Sequence, residues 1–154
     1  MNKVCVVIGV GPGNGEALVR RFCQEGYDVA MLARSKDFIE RLAGQLPNAH
    51  AFVHDASDLA AAPSVFARIE QQLGAVSVLL YNAGGGVFKS AEDASVDDFE
   101  ANWRNNVGGL VAAFQAALLP VGHFVQVSEK KKFQKKSAKL LKHVFLTYQK
   151  IVES

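Results

Sequence analysis

The sequence predicts an α/β fold, a doubly wound parallel sheet with helices on both faces. Three observations carry that expectation. Short, nearly all-apolar runs recur along the chain, as strands covered on both faces require. Stretches with helical spacing of apolar residues separate them, and turn residues (Gly26, Pro47, Gly74 and Pro120) punctuate the junctions. The first apolar run passes directly into four glycines, Gly9, Gly11, Gly13 and Gly15, and then into a helical pattern, a strand–turn–helix unit.

Asn2–Ile8 reads as the first strand and Gly15–Gln24 as the first helix, stopped by Gly26. Tyr27–Ala33 is the second strand. Asp37–Leu46 is the second helix, ended by Pro47, and Ala49–His54 the third strand. Leu59–Leu73 reads as a third helix, with Val65, Phe66, Ile69 and Leu73 on one face. Val76–Tyr81 is the fourth strand, and Ser95–Leu119 a long helix ended by Pro120. Val121–Val127 is a fifth strand. Ser128–Ser154 reads as one helix with an apolar stripe (Leu140, Leu141, Val144, Phe145, Tyr148, Ile151 and Val152) amid lysines.

A chain of 154 residues suits one domain with one sizeable core. Cys5 and Cys23 form neither a disulfide framework nor a metal-ligand spacing, and they suit a reducing compartment. Met1 stands almost against the first strand, which leaves no room for a signal peptide, and no apolar run has the length of a membrane span. A cytoplasmic protein is expected. The charge is divided unevenly. Residues 1–120 hold 9 Lys+Arg against 13 Asp+Glu, and residues 121–154 hold 8 lysines against 2 glutamates. Such a split marks a basic tail or a segment of different origin.

The glycine turn has the composition of a phosphate cradle. Glycines let the backbone turn sharply and approach a pyrophosphate, and a helix N-terminus presents N–H groups and the positive end of a dipole. The spacing is not G-x-G-x-x-G, because Asn14 and Glu16 occupy the places a third glycine would take. It is G-x-x-x-G-x-G, at Gly9, Gly13 and Gly15, with Gly11 and Asn14 between them. A glycine-rich loop without a ligand is the alternative reading.

This turn resembles that of the short-chain dehydrogenase/reductase family, and further segments agree in order and spacing. Tyr81-Asn82-Ala83-Gly84 is similar to the family's Asn-Asn-Ala-Gly motif, with Tyr81 in place of its first Asn. Asn106-Val107-Gly108-Gly109 is similar to its Asn-Val-x-Gly segment. The resemblance covers residues 3–120. It implies a Rossmann-like region at 1–120 that binds a dinucleotide, followed at 121–154 by an atypical strand and basic amphipathic helix. It also implies that Asp55 meets the adenine, that Asn82 braces the sheet, and that Ala83 and Gly84 let the cofactor lie close. Asn106 would bend the long helix and hold a water in a proton relay.

The second strand ends in Arg34-Ser35-Lys36, where an NAD site usually carries an acidic residue for the ribose 2′-OH. A guanidinium and a hydroxyl suit a 2′-phosphate instead, which favours NADP (NADPH) over NAD. The expected function is therefore an NADP-dependent oxidoreductase acting on a small carbonyl or alcohol. Assembly of a homo-oligomer through the long helix 95–119 is a further expectation.

The family's catalytic pair is missing. It consists of a Tyr and a Lys four residues apart, on one helix face, where the ammonium lowers the phenol's pKa. Here the fourth residue after Tyr27 is Met31, after Tyr81 it is Gly85, and after Tyr148 it is Val152. Ser128 could stand for the family's strand-five serine, though a helix N-cap is its simpler role. These features suggest an oxidoreductase truncated after about five strands, weakly active or inactive, whose segment beyond Pro120 was replaced by frameshift, splicing or fusion. Translating the coding DNA in its other frames checks this: a Tyr-x-x-x-Lys segment should appear. The alternatives are a non-catalytic nucleotide-binding or regulatory protein, and an interaction module working through the basic helix. Nucleic acid is a poor partner, since Phe133 is the lone aromatic among the lysines of residues 130–142.

Overall fold

The computed structural model describes residues 3–117 and, as backbone, the strand at 123–126. The elements run β1 (Val4–Ile8), α1 (Asn14–Gln24), β2 (Asp28–Ala33), α2 (Lys36–Ala43), β3 (Ala49–Val53), α3 (Ala62–Leu73), β4 (Val76–Tyr81), α4 (Val96–Trp103), α5 (Gly109–Ala117) and β5 (His123–Gln126). Ser128 and the expected helix 128–154 lie outside the described residues, as do both ends of the expected fifth strand.

The five strands are parallel in the order β3-β2-β1-β4-β5. Successive strands step outward from β1 on one side and from β4 on the other. The order therefore reverses between β1 and β4, and in open parallel sheets ligands bind in the crevice at that switch point.

Side chains alternate between the two faces of the sheet. Val4, Val6 and Ile8 of β1 join Val65, Phe66 and Ile69 of α3 and Ala113 and Ala117 of α5 in one core cluster. Cys5 and Val7 join Leu18, Val19 and Phe22 of α1 and Ile39 and Leu42 of α2 in the other. The pairing of β1 with β4 slips once, between Val4↔Val76 and Cys5↔Val78. That irregularity at Ser77 lets Val76 serve the first cluster while Val78 serves the second.

The first helix begins one residue earlier than expected, at Asn14, and three others depart further, each for a local reason. α2 ends at Ala43 because Gln45 N–H and Leu46 N–H bond to Leu42 and Ala43, three residues back, which tightens the last turn. The third helix begins as a 3₁₀ turn at Leu59–Ala61, where the Asp58 carboxylate accepts from Ala61 N–H at 3.2 Å, and becomes α-helical only with Pro63 in its first turn. The long helix starts as expected at Ser95, through a capping box with Asp98. It is not continuous: Arg104–Gly108 forms a π-helical turn between α4 and α5.

Candidate functional site

The glycine turn is seated on β2: the Leu32 carbonyl accepts from both Gly9 N–H and Val10 N–H, at 2.9 and 3.1 Å. Its glycines do different work. Gly9 has φ +87°, and a Cβ there would overlap the backbone of Ala83 and come within 2.7 Å of the Asn82 carbonyl carbon. A Cβ on Gly15 would lie 2.6 Å from the Gly9 carbonyl oxygen. These two glycines let the turn, the first turn of α1 and the end of β4 touch backbone to backbone. Asn82 locks the contact, donating its side-chain amide to Gly9 O at 2.8 Å and its own N–H to Ile8 O at 2.8 Å.

Gly11 and Gly13 face outward, and a Cβ on either would meet no atom within 4 Å. Gly13 is the N-cap of α1, with φ 98° and ψ −122°, and no side chain caps that helix. Asn14 is its first residue and half-buried. The turn thus presents a helix N-terminus to an open crevice across glycines, which fits the diphosphate of a dinucleotide.

Arg34 and Ser35 follow β2 and are exposed. Ser35 holds the N-cap position of α2, yet its hydroxyl makes no capping bond. Lys36 pairs with Glu40 along the helix at 3.5 Å. Asp55, just past β3, forms a turn of its own, one carboxylate oxygen accepting from Ser57 N–H at 2.9 Å and from Ser57 Oγ–H at 2.8 Å. Partial burial pushes the Asp55 carboxyl up. The two Ser57 bonds and the positive fields of Arg34 and His54 outweigh it and hold the group below its ordinary value. Arg34 and Asp55 therefore share one electrostatic neighbourhood at the β2–β3 end of the crevice. His54 beside them is buried, and desolvation lowers its pKa against the pull of Asp58 and Asp55.

On the other side of the switch point, Ala83 and Gly84 continue past β4 with half-buried backbone. Asn106 sits within the π turn. Its amide closes a two-way pairing with Gly85, accepting from Gly85 N–H at 3.0 Å and donating to Gly85 O at 2.8 Å, and it also donates to Asn102 O at 2.8 Å. The loop that leaves the crevice is tied back by Lys89, whose ammonium donates to Asp98 at 2.7 Å. That bond and those from Ser95 pull the Asp98 carboxyl down to about 2.

The structure brings the glycine turn, Arg34, Ser35, Asp55, Asn82, Ala83, Gly84 and Asn106 to the same end of the sheet. The sequence reading missed three participants. Tyr81 donates its phenol O–H to the Asn105 carbonyl inside the π turn, and Gly109 leaves room for it. Gly85 is the partner of Asn106. The departure from the Asn-Asn-Ala-Gly pattern at Tyr81 and the adjacent glycines Gly108 and Gly109 were the available signals. Among the described residues no cluster of His, Cys, Asp or Glu could hold a metal ion, and no helix is long and apolar enough to cross a membrane.

A family model described as short chain dehydrogenase matches residues 3–131. The chain is 37% identical over 119 residues to meso-2,3-butanediol dehydrogenase of Serratia marcescens, covering 76% of this chain and 47% of that one. It is 33% identical over 111 residues to the NADP-dependent (R)-specific alcohol dehydrogenase of Lentilactobacillus kefiri, covering 70% and 44%. Among solved structures, a blue fluorescent protein from a metagenomic library, in complex with NADPH, superposes with TM-score 0.78 at 30% identity, over 82% of this chain and 56% of that one. The chain spans about half the length of the relatives it matches.

Proposed function

Because this chain belongs to the short-chain dehydrogenase family, we propose that it binds NADPH in the crevice between β1 and β4, as the cofactor module of an oxidoreductase acting on small carbonyls or alcohols. The glycine turn carries this reading: Gly9 and Gly15 are consumed by packing, while Gly11 and Gly13 stand open at the start of α1. When bound, the cofactor supplies the hydride. The protein's own residues supply the diphosphate cradle at residues 9–15, a contact for the adenosine half at Arg34, Ser35 and Asp55, and a floor at Ala83 and Gly84. Asn106 occupies the place of the family's relay residue. In this chain it first holds Gly85, and with it the loop that follows β4. An NADP-dependent relative and an NADPH-bound structural neighbour support the choice of cofactor. Two free thiols, Cys5 and Cys23, suit a reducing, cytoplasmic setting.

Titration with both reduced cofactors tests the preference. NADPH binds more tightly than NADH, by about tenfold for one charge-assisted contact to the 2′-phosphate. Arg34→Asp erodes or reverses the preference, since a carboxylate repels the phosphate and accepts from a ribose hydroxyl. Equal affinities in the unsubstituted protein contradict the reading.

A specific observation also favours self-association. Val96, Phe99, Trp103, Val107, Val111 and Phe114 are exposed at helical spacing along α4 and α5, Val96 by 73% and Phe99 by 67%. A stripe of that length marks an interaction surface, and a second copy presents the same stripe across a two-fold axis. Sedimentation analysis gives a dimer for the unsubstituted chain and a monomer for Phe99→Asp/Trp103→Asp. A monomer in both cases removes this face as the interface.

A further inference from the structure

Tyr81, the last residue of β4, replaces the first Asn of the family's Asn-Asn-Ala-Gly motif, and its environment shows what the replacement does. The side chain is buried, at 1% exposure. Its phenol O–H donates to the backbone carbonyl of Asn105. In a regular α-helix that carbonyl would accept from Gly109 N–H, four residues on. Here Gly109 N–H bonds instead to Arg104 O, five residues back, the pattern of a π turn. The Asn105 carbonyl no longer has Gly109 N–H as its donor, and the phenol O–H bonds to it instead. Gly109 makes this possible, because a Cβ there would overlap both the Tyr81 hydroxyl and the Ala56 carbonyl oxygen. Burial, reinforced by the Asp55 carboxylate, pushes the phenol up to about 12, so it keeps its proton and remains a donor.

The π turn has a consequence one residue further on. Asn106 projects from it towards Gly85 and closes the two-way pairing there. If the helix reverted to regular α-form, residues on one side of the turn would rotate by about 100° relative to the other, the angle per residue of an α-helix. Asn106 would leave Gly85.

We propose that Tyr81 is a positioning residue: its hydroxyl stands in for the helical N–H at Asn105, props the π turn open, and so sets Asn106 against Gly85 beside the crevice. This rests on the NADPH reading. With the adenosine half against Arg34 and Asp55, the remaining half crosses the switch point towards Ala83, Gly84 and Gly85. Tyr81 therefore governs the nicotinamide half of the site and leaves the adenosine half alone.

The test compares NADPH with adenosine 2′,5′-bisphosphate, which carries the adenosine half only. Tyr81→Phe keeps the ring and removes the donor. It weakens NADPH about tenfold, the effect of one hydrogen bond whose buried acceptor is left unmet. Affinity for the bisphosphate stays unchanged, a split that general loss of stability does not produce. Equal losses for both ligands, or no loss for NADPH, overturn the proposal. An unsubstituted protein that binds neither ligand defeats the NADPH reading itself, which is a different result. NMR of the unsubstituted protein decides the geometric part even if the variant fails to fold. A slowly exchanging Tyr81 hydroxyl proton and protected Asn106 side-chain amide protons are expected, and rapid exchange of both overturns it.

Discussion

Gly13→Val remains folded and no longer binds NADPH. A Cβ at position 13 meets no other part of the fold within 4 Å, so the first atom of the new side chain enters open space. The backbone there, at φ 98° and ψ −122°, is a region that only glycine occupies readily, and forcing it costs about 1–3 kcal/mol. That is a fraction of the roughly 5–15 kcal/mol that holds a typical domain together. The branched side chain fills the volume where the diphosphate meets the first turn of α1. Affinity should fall by at least about a hundredfold, equivalent to ~2.7 kcal/mol. NADPH fluorescence titration measures it, with an unchanged circular dichroism spectrum as the condition. Gly9→Ala gives the opposite outcome, since its methyl overlaps the Ala83 backbone and the protein is destabilised whether or not cofactor is present. Retained NADPH affinity in Gly13→Val would put the diphosphate elsewhere.

Residues 1–154 show carbonyl reduction and alcohol oxidation close to background even with NADPH bound. Family catalysis needs a phenol beside an ammonium, and none of the three tyrosines has a lysine four residues on. The described tyrosines do not make up for this. Tyr27 is buried at 4% exposure, on the α1–α2 side of the sheet. Tyr81 is committed to Asn105, and its pKa moves up to about 12, away from the neutral range in which a proton shuttle works. Positioned acid–base help is worth about 10²–10⁴-fold in rate. NADPH oxidation across a panel of ketones, quinones and aldehydes checks the outcome. Robust turnover that disappears in Tyr148→Phe would show that the basic segment supplies the missing phenol.

The strands were legible because a two-sided parallel sheet leaves almost no polar residue in them: Val76–Tyr81 has the same bounds in sequence and structure. Gly9, Asn82 and Asn106 stood out through their place in a motif, and the structure places them at the same end of the sheet. The π turn was legible only in part: Asn106 with Gly108 and Gly109 marks a bend at the place where Arg104–Gly108 forms it, but not its form. The phenol that bonds inside it comes from a residue more than twenty positions away, and helical periodicity over Ser95–Leu119 carries no mark of a side chain arriving from β4. The division of labour among the glycines was hidden too. Gly9 and Gly13 both have positive φ, but only the position of Ala83 shows that one is packed and the other open.

The bond from Asn82 to Gly9 joins residues 73 positions apart. Closing so large a loop carries an entropic cost that grows with its length, so contacts of this range tend to form late in folding. The turn at residues 9–15 is therefore made early on the ribosome but acquires its far wall only after β4 has been synthesised and has slotted in beside β1. A nascent chain that stops short of residue 82 carries every glycine of the cradle and still has no crevice. Ligand capture and completion of the sheet become one event, and during synthesis the cofactor stabilises only chains that have already paired β1 with β4.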